Sequence, residues 1–106
     1  MSEFQIEEAI LEYLNIMGYM AWKNHTAGHY DGKKWRRQAS RFAINGVSDI
    51  IAIKNGRVSF IEVKTSVGKQ SPAQRSFQAN LEAQNGSYYL VRSVADVRKL
   101  IDEKKI

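Results

Sequence analysis

The chain has no cysteine and a single proline. Without thiols there is no disulfide, no thiolate zinc site and no cysteine nucleophile, which suits a reducing cytoplasm. No apolar run approaches membrane-spanning length. The first residues lack the basic-then-apolar pattern of a secretory signal. What is present is ordinary globular material. The hydrophobic fraction is 43% over 106 residues, enough for one small domain spanning 1–106 and too much for wholesale disorder. The net charge of +5, with pI near 9.6, favours a polyanionic partner.

The most specific local signal is Asn55-Gly56. It separates two apolar, β-branched runs, 47–54 and 57–64. Asn-Gly between such runs predicts a hairpin closed by a two-residue type I′ turn. The turn sets the register: Lys54 faces Arg57, Ile53 faces Val58, Ile51 faces Phe60, and Asp49 faces Glu62. Directly opposed residues have Cβ atoms roughly 5 Å apart, and like charges there are destabilising. A divalent cation between the two carboxylates resolves that conflict. Lys64 follows Glu62 by two residues, so strand periodicity puts it on the same face. Either acidic group alone would be an ordinary surface charge. Asp, Glu and Lys converging on one spot suit metal-dependent phosphodiester hydrolysis.

Around this hairpin the pattern predicts a helix over 3–17, capped by Ser2 and ended by Gly18, with Ile6, Ile10, Leu14 and Met17 inward. A short strand follows at 19–23. Residues 24–46 lack periodicity and read mostly as loop, with a possible strand at 38–44. Ser71-Pro72 opens a helix through about Gln84. Residues 88–91 form a strand, and Ser93 caps a last helix over 94–104. Phe77, Leu81, Tyr89, Leu90, Val97 and Leu100 are core candidates, whereas Tyr13 and Tyr88 are expected to be exposed enough to meet a partner. The order is αβ(loop)ββαβα. Both hairpin faces are apolar: Ile51, Ile53, Val58 and Phe60 on one, Ile50, Ala52, Ile61 and Val63 on the other. Such a sheet needs helices on both sides. The expectation is α/β: a three-layer α/β/α domain with a mixed central sheet.

Gly46-Val47-Ser48-Asp49, then Glu62-Val63-Lys64, Gly68 and Ser71-Pro72-Ala73-Gln74 together resemble the PD-(D/E)XK nuclease superfamily, and within it the VRR-Nuc family of small viral and bacterial nucleases. The resemblance covers nearly the whole chain. Ser48 departs from it, standing where the family usually has a proline that shapes backbone and binds no metal. The resemblance implies a restriction-endonuclease-like fold and an endonuclease that uses Mg²⁺ or Mn²⁺. Asp49 and Glu62 would be metal ligands, with the carbonyl of Val63 a further one. Lys64 would contact the attacking water or the scissile phosphate. Glu7 matches the family's first-helix glutamate best, with Glu3 and Glu8 as alternatives. Gln74 would face the site from its helix. The cut would leave a 5′-phosphate and a 3′-hydroxyl. A Holliday-junction resolvase acting as a homodimer on branched DNA, in a bacterial or phage-infected cell, is the implied role. A non-catalytic DNA-binding module, or an accessory subunit of a larger nuclease complex, is the alternative.

Lys33, Lys34, Arg36, Arg37 and Arg41 cluster around Trp35. A basic run with one aromatic can track a phosphate backbone while the indole stacks on a base. Lys69 and Arg75 border the expected site. His25 and His29 have helical metal-pair spacing, but Gly28 argues against a helix, and they read as ordinary loop residues.

Overall fold

The computed structural model describes residues 1–24, 29–30, 35–36 and 41–106. Helix α1 (Glu3–Ile16) begins where expected, and for the expected reason. Ser2 Oγ accepts from the Gln5 N–H at 3.1 Å, while Gln5 Oε1 accepts from the Ser2 N–H at 2.9 Å. This reciprocal box satisfies two backbone donors that the first turn leaves orphaned. Strand β1 is Met20–Lys23. The region read as loop contains two short strands, β2 (His29–Tyr30) and β3 (Trp35–Arg36), paired antiparallel. The possible strand at 38–44 is not seen over 41–44, which form a turn and irregular chain; 38–40 lie outside the described residues.

Strands β4 (Ile50–Lys54) and β5 (Arg57–Val63) form the hairpin in the expected register, Lys54 facing Arg57 and Ile50 facing Ile61. Both turn residues have positive φ, Asn55 at 52° and Gly56 at 77°, as a type I′ turn requires. Helix α2 (Pro72–Ala83), strand β6 (Ser87–Val91) and helix α3 (Val94–Asp102) follow. The last helix stops two residues short of the expected end, with Glu103 as its cap.

The four-stranded sheet runs β1-β4-β5-β6. The first two pairings are antiparallel and β5–β6 is parallel, so the sheet is mixed. One face carries Ile50, Ala52, Ile61, Val63 and Val91. It packs on Ile6, Ile10 and Leu14 of α1 and Val97 of α3. The other face meets α2 through Phe77, whose ring centroid lies 5.8 Å from Phe60 and 6.2 Å from Tyr88. These are the three expected layers. Tyr88 is buried beneath this helix, contrary to the exposed role expected of it; Gln70 donates to its hydroxyl at 3.0 Å. Toward β1 the second face is open among the described residues, with Met20, Trp22 and Val58 exposed. No helix among them is long and apolar enough to cross a membrane.

Candidate active site

The site lies at the end of the hairpin away from its turn, where β4, β5, α1 and α2 meet. Asp49 precedes β4 by one residue, so the ladder stops at Ile50–Ile61 and does not reach the Asp49–Glu62 pair. A side chain takes over from the backbone there: Asp49 Oδ2 accepts from the Val63 N–H at 2.8 Å. Asp49 also anchors β1, because its carbonyl accepts from the Asn24 N–H at 2.7 Å.

Glu62 points away from the aliphatic core and has no solvent-exposed side-chain surface. Gln74 Nε2 donates to its Oε2 at 3.0 Å, and Lys64 Nζ lies 3.5 Å from the same oxygen. Its Oε1 is buried without a hydrogen-bond partner among the described residues. Burial, and then hydrogen-bonding contact with the neighbouring Asp49 carboxyl, push the Glu62 carboxyl up to about 8. Either a proton or a cation must compensate such a pair.

Gln74 serves two structures at once. Its Oε1 accepts from the Ser71 N–H at 2.8 Å, completing the cap of α2, while its amide nitrogen holds Glu62. The helix start that the sequence announces is therefore part of the site. Gly46 allows α2 to come this close. Its φ is +78°, and a Cβ there would lie 2.3 Å from the Ala73 carbonyl oxygen.

From α1, both Glu3 and Glu7 arrive. One helical turn separates them, so they share a face. With Asp49 they form a group whose ligand oxygens lie within 4.8 Å of one another. Glu7 is buried and Glu3 half-buried, whereas Glu8 is exposed on the opposite side. Burial, followed by the Asp49 charge, raises the Glu3 carboxyl above its ordinary value. Sequence reasoning ranked Glu3 as an alternative and missed Lys23 altogether. Lys23 Nζ makes a 2.9 Å ion pair with Glu7 Oε2. No local motif marks Lys23, since its place depends on β1 pairing with β4.

The donors here are all oxygens, the set that Mg²⁺ and Mn²⁺ prefer. A buried, unpartnered Glu62 oxygen beside a second carboxylate gives them a reason to hold a cation. Val63 contributes its N–H to Asp49, while its side chain is buried in the aliphatic core. Of the basic residues expected to meet nucleic acid, Lys69 and Arg75 are exposed near the start of α2, and Arg75 donates to the Gln70 carbonyl at 3.0 Å. Arg41 is exposed and stacks over Phe42. Trp35 and Arg36 are placed by the β2–β3 pairing alone, as is His29. Lys33, Lys34, Arg37 and His25 lie outside the described residues.

A solved structure described as a VRR_NUC domain matches this architecture with a TM-score of 0.68, over 94% of this chain and 94% of its own. The chain has the VRR_NUC domain fold. Sequence identity to that structure is 22%. No protein-family model matches the sequence, and no curated protein does. Within this fold Asp49 joins two groups: Glu62, with its neighbours Lys64 and Gln74, on one side, and Glu3 and Glu7 of α1 on the other. These residues are scattered from 3 to 74 in the sequence.

Proposed function

We propose that this protein is a divalent-metal-dependent DNA endonuclease, structure-specific and acting as a homodimer on branched DNA in the manner of a Holliday-junction resolvase. The observation that carries the reading is Glu62: a fully buried carboxylate with one unpartnered oxygen, set against Asp49 and beside Lys64. Asp49, Glu62, Glu7 and the Val63 carbonyl would hold Mg²⁺ or Mn²⁺, with Glu3 at its edge. When bound, such an ion lowers the pKa of water and offsets charge developing on the phosphate oxygens.

The chain's own groups supply the rest. Gln74 donates to one Glu62 oxygen, and the other is buried without a hydrogen-bond partner among the described residues. Asp49 is oriented by the Val63 N–H. The Lys64 ammonium, 3.5 Å from Glu62 Oε2, would hold the attacking water or a non-bridging phosphate oxygen, and its charge would stabilise the extra negative charge of the transition state. Water adds to phosphorus, the bond to the 3′-oxygen breaks, and that oxygen leaves as a hydroxyl. The 5′ side keeps the phosphate. Lys69, Arg75, Arg41 and the basic run around Trp35 would carry the DNA backbone toward this site. One chain has one such site, so paired cuts across a junction require two copies.

The test is cleavage of a labelled four-way junction beside linear duplex, flap and single strand, with Mg²⁺ or Mn²⁺. Asp49→Ala and Lys64→Ala serve as controls. Symmetric paired cuts in the junction, lost in both variants and in EDTA, are expected. Equal cutting of every substrate would reduce the reading to a general endonuclease. DNA binding without metal-dependent cleavage would favour the binding-module or accessory-subunit alternative.

A further inference from the structure

Lys23 belongs to the site without belonging to its motif. It lies on β1, paired with Ile50 and therefore next to Asp49. Its ammonium is 2.9 Å from Glu7 Oε2 and 4.6 Å from the centroid of the Phe4 ring. The Glu7 side chain is only 6% exposed, whereas that of Lys23 is 26% exposed. The carboxylate is thus shut in and the ammonium keeps an opening to solvent. A buried carboxylate without a partner is costly; Lys23 supplies the countercharge at 2.9 Å, while Glu7 Oε2 makes no well-formed hydrogen bond among the described residues. Yet Glu7 also stands within the Glu3–Glu7–Asp49 group of converging oxygens.

We propose that Lys23 is the resident counter-ion of Glu7, a positioning residue that holds this carboxylate in the site when no divalent ion is bound and yields it when one binds. The inference rests on the metal-dependent reading above. The exchange needs little movement. The lysine stem is flexible, and the face of Phe4 already offers the ammonium a second resting place through its ring electrons. Lys23 therefore stabilises the metal-free protein and weakens its divalent affinity. A unit positive charge about 5 Å from a divalent ion opposes it by roughly tenfold in affinity even with bulk-water screening.

The experiment is a titration of the full chain with Mn²⁺ alone, followed by calorimetry, for the unsubstituted protein, Lys23→Met and Lys23→Arg. Thermal melts in EDTA and in saturating Mn²⁺ accompany it. Lys23→Met is expected to bind Mn²⁺ about tenfold more tightly, to melt lower in EDTA, and to gain more from Mn²⁺. Lys23→Arg, which keeps the charge, should retain the weaker affinity. A role confined to packing would lower the melting temperature without tightening Mn²⁺. Lys23→Gln removes the charge while leaving Glu7 a polar partner, and tightens Mn²⁺ as well if charge is the cause. Unchanged or weaker binding by both neutral variants, with binding by the unsubstituted protein intact, overturns the role of Lys23 and leaves the metal reading standing. Mn²⁺ binding by the neutral variants alone supports the proposal. No binding by any of the proteins overturns both.

Discussion

At the scale of residues, the organising fact is that a fully buried carboxyl, Glu62, lies against a half-buried one, Asp49. Glu62 loses its hydration entirely, and Asp49 adds a like charge. Both effects favour the protonated acid. A carboxyl with its folded value raised to about 8, against an ordinary value of 4.5, binds a proton in the folded chain that the unfolded chain has already released. Stability of the metal-free protein is therefore full below about pH 4.5 with respect to this group, and is lost as pH rises through about 8. On the proposed metal-dependent reading, divalent ions compete with that proton, so their affinity rises over the same interval. Thermal melts in EDTA should show the melting temperature falling from pH 5 to pH 8.5, and saturating Mn²⁺ should reverse the trend. Glu62→Gln should flatten the EDTA curve. A metal-free protein that gains stability across this range would remove the account of Glu62.

At the scale of elements, the site depends on how closely α2 approaches the hairpin. Its cap residue Ser71, its Gln74 and the preceding Gly46 act as one device. Ser71 starts the helix, Gln74 joins the helix to Glu62, and Gly46 clears the space. Gly46→Ala meets two penalties. Its φ of +78° is unfavourable for a side chain, and its Cβ would collide with the Ala73 carbonyl. We expect destabilisation of about 1–3 kcal/mol, read as a lower denaturation midpoint, and a displaced Gln74 that, on the proposed reading, impairs cleavage beyond the loss of folded protein. Gly56→Ala provides the comparison, since its φ is also positive but nothing lies within 4 Å of its would-be Cβ. It should cost stability without a specific loss of activity. Equal effects on activity per folded molecule would show that Gly46 matters only as a turn residue.

At the scale of the whole molecule, charge and shape act together. The net charge of +5 is carried with a site made largely of carboxylates. On the proposed reading, cations beyond the site bring DNA close, and the exposed Lys69 and Arg75 near the start of α2 are candidates. Binding of this kind releases counter-ions and weakens with salt. Measured with Ca²⁺ in place of Mg²⁺, affinity for junction DNA should drop by an order of magnitude or more between 50 and 200 mM salt if several phosphates are contacted. Salt-insensitive binding would contradict the electrostatic part of the reading. The same scale explains Tyr88, which the sequence placed near the surface. A tyrosine on an edge strand reads as exposed until a helix is laid across it, and Phe77 does that.

Local physics made much of this protein legible in one dimension. Asn55-Gly56 determined a turn whose positive φ values few other residue pairs accept, and with it the hairpin register. Ser2, Ser71 and Ser93 marked three helix starts because side-chain caps act within one turn. Strand alternation set the two apolar faces and put Lys64 beside Glu62. Only the tertiary structure decided that β1 lies beside β4, and hence that Lys23 meets Glu7 and that Glu3 joins Glu7 near Asp49. Those pairings join residues distant in sequence, and no local pattern encodes which strand takes the edge. The final arrangement came from burying Ile6, Ile10 and Leu14 against the hairpin, which carries the acidic face of α1 into the site as a consequence.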